Sequence, residues 1–122
     1  MKFFLISLTF LIPILPIQST KYIPKIIENL KSEKSASKAL EYLSEDFVYK
    51  FENGAEYNRK SFVNAILLAA NNQFEIGGLQ SILKFKFDFY KLEYVGNGRV
   101  TTILVRKNDL KITEIDKKVI SF

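Results

Sequence analysis

Apolar residues recur with the spacing of an α-helix in three stretches of the chain. Pro24 lies near the start of the first stretch, where a residue without an N–H group is tolerated. Asn58 precedes the third stretch and can accept hydrogen bonds from the first N–H groups of a helix. The sequence therefore predicts three helices, each with one buried face. The apolar positions are Ile23, Ile26, Ile27 and Leu30 in the first, Ala36, Ala39, Leu40 and Leu43 in the second, and Phe62, Val63, Ile66, Leu67 and Ala70 in the third.

Between the second and third helices the apolar period shortens to two residues. Phe47, Tyr49 and Phe51 alternate with charged or smaller side chains, which predicts a strand with one aromatic face. Asn53-Gly54 follows, and this pair favours a hairpin turn because both central residues of such a turn need positive φ angles. A short return strand then leads into the third helix.

The C-terminal third begins with the pattern of a long strand that changes phase. From Leu83 to Phe89 the apolar residues occupy odd positions, and from Tyr90 to Tyr94 they occupy even positions. A straight strand would turn half of these aromatic residues to water. We therefore predict a β-bulge near Phe89-Tyr90, a sharply bent strand and a buried Phe87.

The sequence Gly96-Asn97-Gly98 predicts the turn into the next strand. A two-residue loop at 97–98 brings all the large apolar residues of the two strands onto one face, which supports this register. The predicted pairs on that face are Tyr94 with Thr101, Leu92 with Ile103 and Tyr90 with Val105, and the residues of the opposite face are Val95, Val100, Thr102 and Leu104.

The register of the last strand decides the direction of Glu114. With a two-residue turn at 108–109, Ile103 faces Glu114, and the carboxyl lies on the apolar face, where burial raises a carboxyl pKa. A turn longer by one residue sends Glu114 to solvent and turns Thr113 and Ile115 inward. We favour the second arrangement because it buries more apolar area.

The N-terminal segment has the features of a secretory signal peptide. Lys2 is followed by an uncharged run to Leu15, and small residues near Ser19 offer a cleavage site. The run is shorter than the roughly 20 residues that span a bilayer. We therefore expect residues 1–19 to be removed, residues 20–122 to form one domain, and the protein to be secreted without stable insertion into a membrane.

The amino-acid composition excludes several classes of chemistry. The chain has neither Cys nor His, which excludes disulfides, cysteine nucleophiles and imidazole bases. The carboxylates show no metal-ligand spacing, so we predict no metal and no cofactor. The 18 Lys plus Arg against 13 Asp plus Glu are dispersed, and we expect no nucleic-acid partner. The net positive charge is also compatible with a weak attraction to anionic surfaces.

The element order predicts an α+β domain, with helices against one face of a curved antiparallel sheet. The segment from Asp46 to Val63 reads Asp-Phe-Val-Tyr-Lys-Phe-Glu-Asn-Gly-Ala-Glu-Tyr-Asn-Arg-Lys-Ser-Phe-Val. It resembles a recurring passage of the nuclear transport factor 2-like superfamily, in which a strand and a short hairpin lead into the third helix. The likeness extends over the mature chain, which is most similar to small secreted members of unknown function.

This resemblance implies a cone-shaped fold in which three helices and a curved antiparallel sheet enclose a pocket, often with dimerisation through the outer face of the sheet. The superfamily includes ketosteroid isomerase-like and polyketide cyclase-like enzymes as well as binding and scaffold proteins. Because one fold hosts many functions, the resemblance implies no particular reaction.

Four residues are candidates for lining such a pocket. Tyr49, Tyr90 and Tyr94 lie on the predicted apolar face, where a hydroxyl can contact a ligand or belong to the core. Glu114 joins them in the register that turns it inward. Glu52 lies where an isomerase-like enzyme would hold its base, but a charged residue at a solvated turn is ordinary, and we assign no catalytic residue.

Arg59 and Lys60 occupy the first turn of the third helix, where positive charge opposes the helix dipole. An anion site would explain them, and so would pairing with Glu56. We favour the pairing.

These observations predict a secreted domain that binds a small apolar ligand or a protein partner without catalysis and that forms a homodimer through the outer face of its sheet. The alternative is a small isomerase-like or cyclase-like enzyme that uses a pocket carboxylate. An open pocket with a connected acid and hydroxyl would favour the enzyme. A cone filled by Phe and Tyr side chains would favour an interaction role.

Overall fold

The computed structural model describes residues 22–69 and 74–120, and these ranges form three helical segments and six strands. The predicted signal peptide, residues 1–19, lies outside the described residues. Helix α1 spans 22–32, α2 Ala36–Glu41, β1 Leu43–Lys50, β2 Glu56–Asn58, α3 Arg59–Phe62 with a π-helical continuation over Val63–Leu67, β3 Gly78–Phe85, β4 Phe89–Gly96, β5 Arg99–Arg106 and β6 Ile112–Val119.

The six strands form one mixed sheet in the order β2-β1-β6-β5-β4-β3. The predicted α+β class is confirmed, and the arrangement is consistent with a cone-like fold. The expectation of a fully antiparallel sheet is wrong at one pair, because β1 and β6 run parallel, with Tyr49 beside Ile115. Parallel strands need a long connection, and residues 51–111 supply it.

The predicted long, bulged strand is two strands joined by a tight turn. β3 ends at Phe85, β4 begins at Phe89, and the two pair antiparallel, so the change of phase marks a reversal of the chain instead of a bulge there. Lys86 adopts a positive φ angle of 56°, and Phe87, predicted to be buried, is 93% exposed. The reversal resolves the conflict because Leu83 can lie on the outer face while the even positions of β4 face the core.

The predicted register of the β4–β5 hairpin is confirmed. Asn97 and Gly98 form the turn with positive φ angles of 55° and 72°. The resulting inner face of the sheet, which carries the core residues, includes Tyr94 paired with Thr101, Leu92 with Ile103 and Tyr90 with Val105.

Strand β6 combines the two registers that the sequence left open. Ile112 pairs with Val105, as expected for the two-residue turn, whereas Glu114 pairs with Leu104, as expected for the longer turn. Thr113 is therefore an extra residue at a bulge. Ile112 and Ile115 are both fully buried, and Glu114 lies on the outer face. The bulge is favourable because neither regular register would bury both isoleucines.

One hydrophobic core joins the inner face of the sheet to the helices. Phe62 of α3 is fully buried, and its ring centroid lies within 5.3 Å of three other aromatic rings. Asn58 caps α3 as predicted, since its Oδ1 accepts a hydrogen bond from the Ser61 N–H at 2.9 Å. The three rings around Phe62 belong to Phe47, Tyr49 and Phe74.

Candidate functional site

The strongest candidate site is a cleft at the end of the sheet that carries the β4–β5 turn. It has a volume of about 370 Å³, which is within the range of small-molecule sites. Its floor includes Thr101 of β5 paired with Lys117 of β6, and one wall is the segment 75–77. We call it the end cleft, and its lining residues are Phe51, Glu52, Glu75, Ile76, Gly77, Gly96, Asn97, Arg99, Thr101 and Lys117.

Two glycines hold segment 75–77 against the β4–β5 hairpin. A Cβ atom on Gly77 would overlap the carbonyl group of Val95, and a Cβ atom on Gly96 would lie 2.7 Å from the Gly77 Cα atom. Non-bonded carbon atoms pack at about 3.5–4.0 Å. Glycine at both positions therefore permits the close approach that forms the wall of the end cleft.

An ion pair crosses one side of the end cleft. Arg99 donates from Nε to one carboxylate oxygen of Glu52 at 2.7 Å and from Nη2 to the other at 3.2 Å. The Arg99 hydrogen bond lowers the pKa of Glu52, so this carboxyl is ionised at neutral pH. Arg99 also donates to the Asn97 carbonyl oxygen at 3.1 Å, which fixes the guanidinium beside the turn.

Lys117 brings a partly buried cation to the floor of the end cleft. Its Nζ donates to the Glu75 carbonyl oxygen at 3.0 Å, and it forms no ion pair with a carboxylate of the described residues. Burial and then the nearby Arg99 charge lower the pKa of Lys117. An ammonium group has three N–H donors, so Lys117 can donate to a ligand while it holds Glu75.

The sequence pattern did not single out Lys117 or Arg99. Lys117 has the parity of the buried Ile115, and Arg99 has the parity of the buried Thr101. Side chains two residues apart in a strand lie on the same face, so Lys117 shares the inner face with Ile115 and Arg99 shares it with Thr101. The parity of the strand was therefore the signal that could have found them.

The three candidate tyrosines share the inner side of the fold but do not line the end cleft. Tyr49 and Tyr94 are buried, and within the described part of the chain their hydroxyl groups have no hydrogen-bond partner. Burial raises the pKa of both hydroxyls to about 12. Tyr90 is half-buried near the other end of the sheet, with the Lys107 ammonium 5.1 Å from its ring centroid.

Glu114, the fourth candidate, lies on the outer face of the sheet. Its carboxylate is 3.3 Å from the Lys50 ammonium of the neighbouring strand. The structure thus does not bring Glu114 together with Tyr49, Tyr90 and Tyr94. The ion pair raises the pKa of Lys50, chiefly through the hydrogen bond with Glu114.

A second cleft, of about 650 Å³, lies beside the start of β1, and two of its carboxylates are already hydrogen-bonded by neighbouring side chains. The Ser44 hydroxyl donates to Asp46 Oδ1 at 2.7 Å and lowers the pKa of that carboxyl. Arg106 donates to both carboxylate oxygens of Asp109 and lowers its pKa to about 2. The lining residues are Leu40, Glu41, Leu43, Ser44, Glu45, Asp46, Arg59, Arg106, Asp109 and Lys111.

The pairing predicted for the start of α3 is not found. Glu56 forms no ion pair with Arg59 or Lys60 among the described residues, and Arg59 lines the second cleft instead. In residues 22–69 and 74–120, no three acidic side chains converge where they could hold a metal ion. The helices within these ranges are not long and apolar enough to cross a bilayer.

Comparison with solved structures gives distant likenesses. No family model matches the chain, and no curated protein matches it. A protein of Xanthomonas campestris pv. campestris described as a polyketide cyclase aligns with a TM-score of 0.48 and 14% identity, over 81% of this chain and 90% of its own. A de novo designed protein with a curved β-sheet aligns with a TM-score of 0.46 and 17% identity, over 81% and 85%. Neither likeness assigns the chain to a family.

Proposed function

We propose that this protein is a secreted, non-enzymatic binding protein that holds a small amphipathic ligand in the end cleft. One observation carries the proposal: the partly buried Lys117 ammonium, without a carboxylate partner among the described residues, shares a cleft of about 370 Å³ with Phe51 and Ile76. Specific small-molecule sites combine apolar walls with a few placed polar groups. The ligand's apolar part packs against Phe51 and Ile76, and its acceptor atoms meet Lys117.

Calorimetric titration with octanoate, octanol and octylammonium tests this proposal, because the three probes share a chain and differ in the charge of the head group. Octanoate should bind most tightly. Lys117→Met should weaken octanoate binding about tenfold and octanol binding much less, since a hydrogen bond to a charged group contributes about 1.5–3 kcal/mol.

Lys118→Met is the matched control. Lys118 is the next residue in β6, has the opposite parity and exposes 76% of its side chain. The control should bind octanoate as the wild type does. Equal affinities for all three probes, or equal losses in the two variants, would contradict a binding role for Lys117.

Secretion is the second part of the proposal and rests on the leader pattern of Lys2 and the uncharged run that follows. N-terminal sequencing of protein exported from a eukaryotic host should begin near Thr20. Retention inside the cell with Met1 intact would contradict it.

Self-association is the third part. Val95, Val100, Thr102 and Leu104 lie on the outer face, opposite the residues that meet the core. Apolar and β-branched residues on a sheet face can form an isologous dimer interface. Light scattering at micromolar concentration should give a dimer mass, and Val100→Glu should give a monomer. A monomeric mass for the wild type would refute this part.

The alternative is a small isomerase-like or cyclase-like enzyme, and the position of Glu52 in the end cleft is the observation that favours it. The Arg99 ion pair lowers the pKa of this carboxyl, whereas an efficient general base has a pKa near the working pH. Binding is therefore better supported. Conversion of a β,γ-unsaturated ketone to its conjugated isomer by the wild type, lost in Glu52→Gln, would replace the binding proposal with the enzymatic one.

A further inference from the structure

The β3–β4 turn exposes an apolar side chain at the end of the sheet opposite the end cleft. Phe87 is 93% exposed and is the most exposed large hydrophobic residue of the described ranges. Leu110, in the loop between β5 and β6, is also exposed. The Lys107 N–H donates to the Asp88 carbonyl oxygen at 2.7 Å, so the turn and the loop lie side by side. We call residues 84–91 and 107–111 together the basic tip.

The backbone of the basic tip holds two residues in an uncommon conformation. Lys86 and Leu110 have φ angles of 56° and 57°. The left-handed region is unfavourable for side chains larger than glycine, and such strain persists only where the surrounding structure maintains it. The Leu110 N–H donates to the Arg106 carbonyl oxygen at 2.8 Å, which supports this conformation. The fold therefore maintains a loop that leaves an apolar side chain in water.

The basic tip carries five lysines against two acids. The ammonium groups of Lys86 and Lys91 lie 5.4 and 5.3 Å from the Phe85 ring centroid, which brings both cations close to the turn. Of the two acids, Asp109 is already paired with Arg106 and Asp88 is exposed, so the lysines leave a positive balance. The lysines of the basic tip are Lys84, Lys86, Lys91, Lys107 and Lys111.

We propose that the basic tip binds the surface of an anionic membrane, with Phe87 and Leu110 entering the interface and the lysines contacting lipid head groups. Phe87 lies at a chain reversal and is almost fully exposed, so it can enter an interface without any change of the fold. Aromatic residues favour the boundary between head groups and acyl chains, and long lysine side chains let the charge stay in water. Binding is peripheral and leaves the fold unchanged.

The charge of the tip sets how strongly binding depends on lipid composition. Each lysine near an anionic surface contributes a factor of about five to the affinity, and physiological salt screens this attraction beyond about 8 Å. Binding to vesicles that contain phosphatidylglycerol should therefore exceed binding to pure phosphatidylcholine at least tenfold and should fall as salt is added.

Sedimentation of the purified protein with vesicles tests the proposal. Two compositions are compared, pure phosphatidylcholine and phosphatidylcholine with about one third phosphatidylglycerol. Phe87→Ser should reduce binding to the anionic vesicles about tenfold, and Lys86→Gln about fivefold. Circular dichroism should show wild-type folding for both variants because both side chains are exposed.

Two controls lie at the other end of the sheet. Val119 is 59% exposed and Lys118 is exposed beside it, so Lys118→Gln repeats the loss of one charge and Val119→Ser removes an exposed apolar side chain away from the tip. Both should bind like the wild type. Equal binding to the two vesicle types, or equal binding by Phe87→Ser and the wild type, would overturn the proposal. A Phe87-dependent change in self-association without vesicle binding would identify a protein contact and would also overturn it.

Discussion

Gly77→Ala tests how the end cleft is built. The new methyl group would overlap the backbone of Val95 and Gly96, so segment 75–77 would have to move away from the hairpin. In the reciprocal variant Gly96→Ala, the Cβ atom would lie 2.7 Å from the Gly77 Cα atom. Carbon atoms pack at about 3.5 Å or more, so the segment must shift by about 0.8 Å at least.

Both substitutions push segment 75–77 and the hairpin apart, and this displacement determines the expected loss of stability. Overpacking of this kind destabilises a protein by about 1–3 kcal/mol, out of a total of about 5–15 kcal/mol for a domain. The shift also removes the Glu75 carbonyl oxygen from Lys117 and moves Ile76 away from the cleft. Octanoate affinity should therefore fall together with stability.

Gly78→Ala is the matched control for this prediction. A Cβ atom on Gly78 would have no heavy atom within 4 Å beyond its chain neighbours. Gly78 is the first residue of β3 and does not have a positive φ angle. Alanine at such a position stabilises a protein by about 0.4–1 kcal/mol because it restricts the unfolded chain. Gly77→Ala should therefore lower the free energy of unfolding, whereas Gly78→Ala should raise it slightly.

Urea denaturation measures the free energy of unfolding, and calorimetric titration measures the affinity of the end cleft for octanoate. Gly77→Ala should lower both the stability and the affinity, whereas Gly78→Ala should keep or raise the stability and leave the affinity unchanged. If the two variants are equally stable and bind octanoate equally, segment 75–77 is not packed against the hairpin as described.

Three further predictions concern stability. Phe62→Ala should lower the free energy of unfolding in urea by about 3–5 kcal/mol because its ring is buried, whereas Phe87→Ala should change it by less than about 0.5 kcal/mol; similar costs would contradict the chain reversal at 86–88. The pKa of Asp109 is about 2 in the folded protein against an ordinary 3.8, so its stabilisation is present above pH 3.8 and is lost as the pH falls towards 2. Asp109→Asn should therefore flatten the acid dependence of the circular dichroism signal, and an unchanged acid limb would show that the Arg106 pair is not formed. Tyr49→Phe should leave stability unchanged or raise it by up to about 1 kcal/mol, since the hydroxyl has no partner among the described residues; a clear loss in urea denaturation would reveal a bonded hydroxyl.

The sequence by itself determined the features that depend on neighbouring residues. Asn58 caps α3 because its side chain reaches an N–H group three residues away. Asn97 and Gly98 form the β4–β5 turn because they accept positive φ angles, and the turn then fixes every pair of that hairpin. Strand parity likewise placed Leu92 and Ile103 on the buried face.

The reversal at 86–88 required the tertiary structure. A change of phase in an apolar pattern can be resolved by a bulge or by a turn, and both keep the large side chains paired. Asp88 is the one turn-favouring residue at 86–88, and no glycine, proline or asparagine accompanies it to distinguish a turn from a bulge. Packing of β3 beside β4 selects the turn and holds Lys86 at a positive φ angle.

The end cleft also required the tertiary structure, because its groups come from distant parts of the chain. Glu52 and Arg99 are 47 residues apart, and Lys117 bonds to a carbonyl group 42 residues before it. These contacts exist because β6 lies between β1 and β5, with a parallel pair on one side and an antiparallel pair on the other. Local periodicity assigns a residue to a face of its own strand, but which strands become neighbours depends on the packing of the whole core, and that packing brought these charges together.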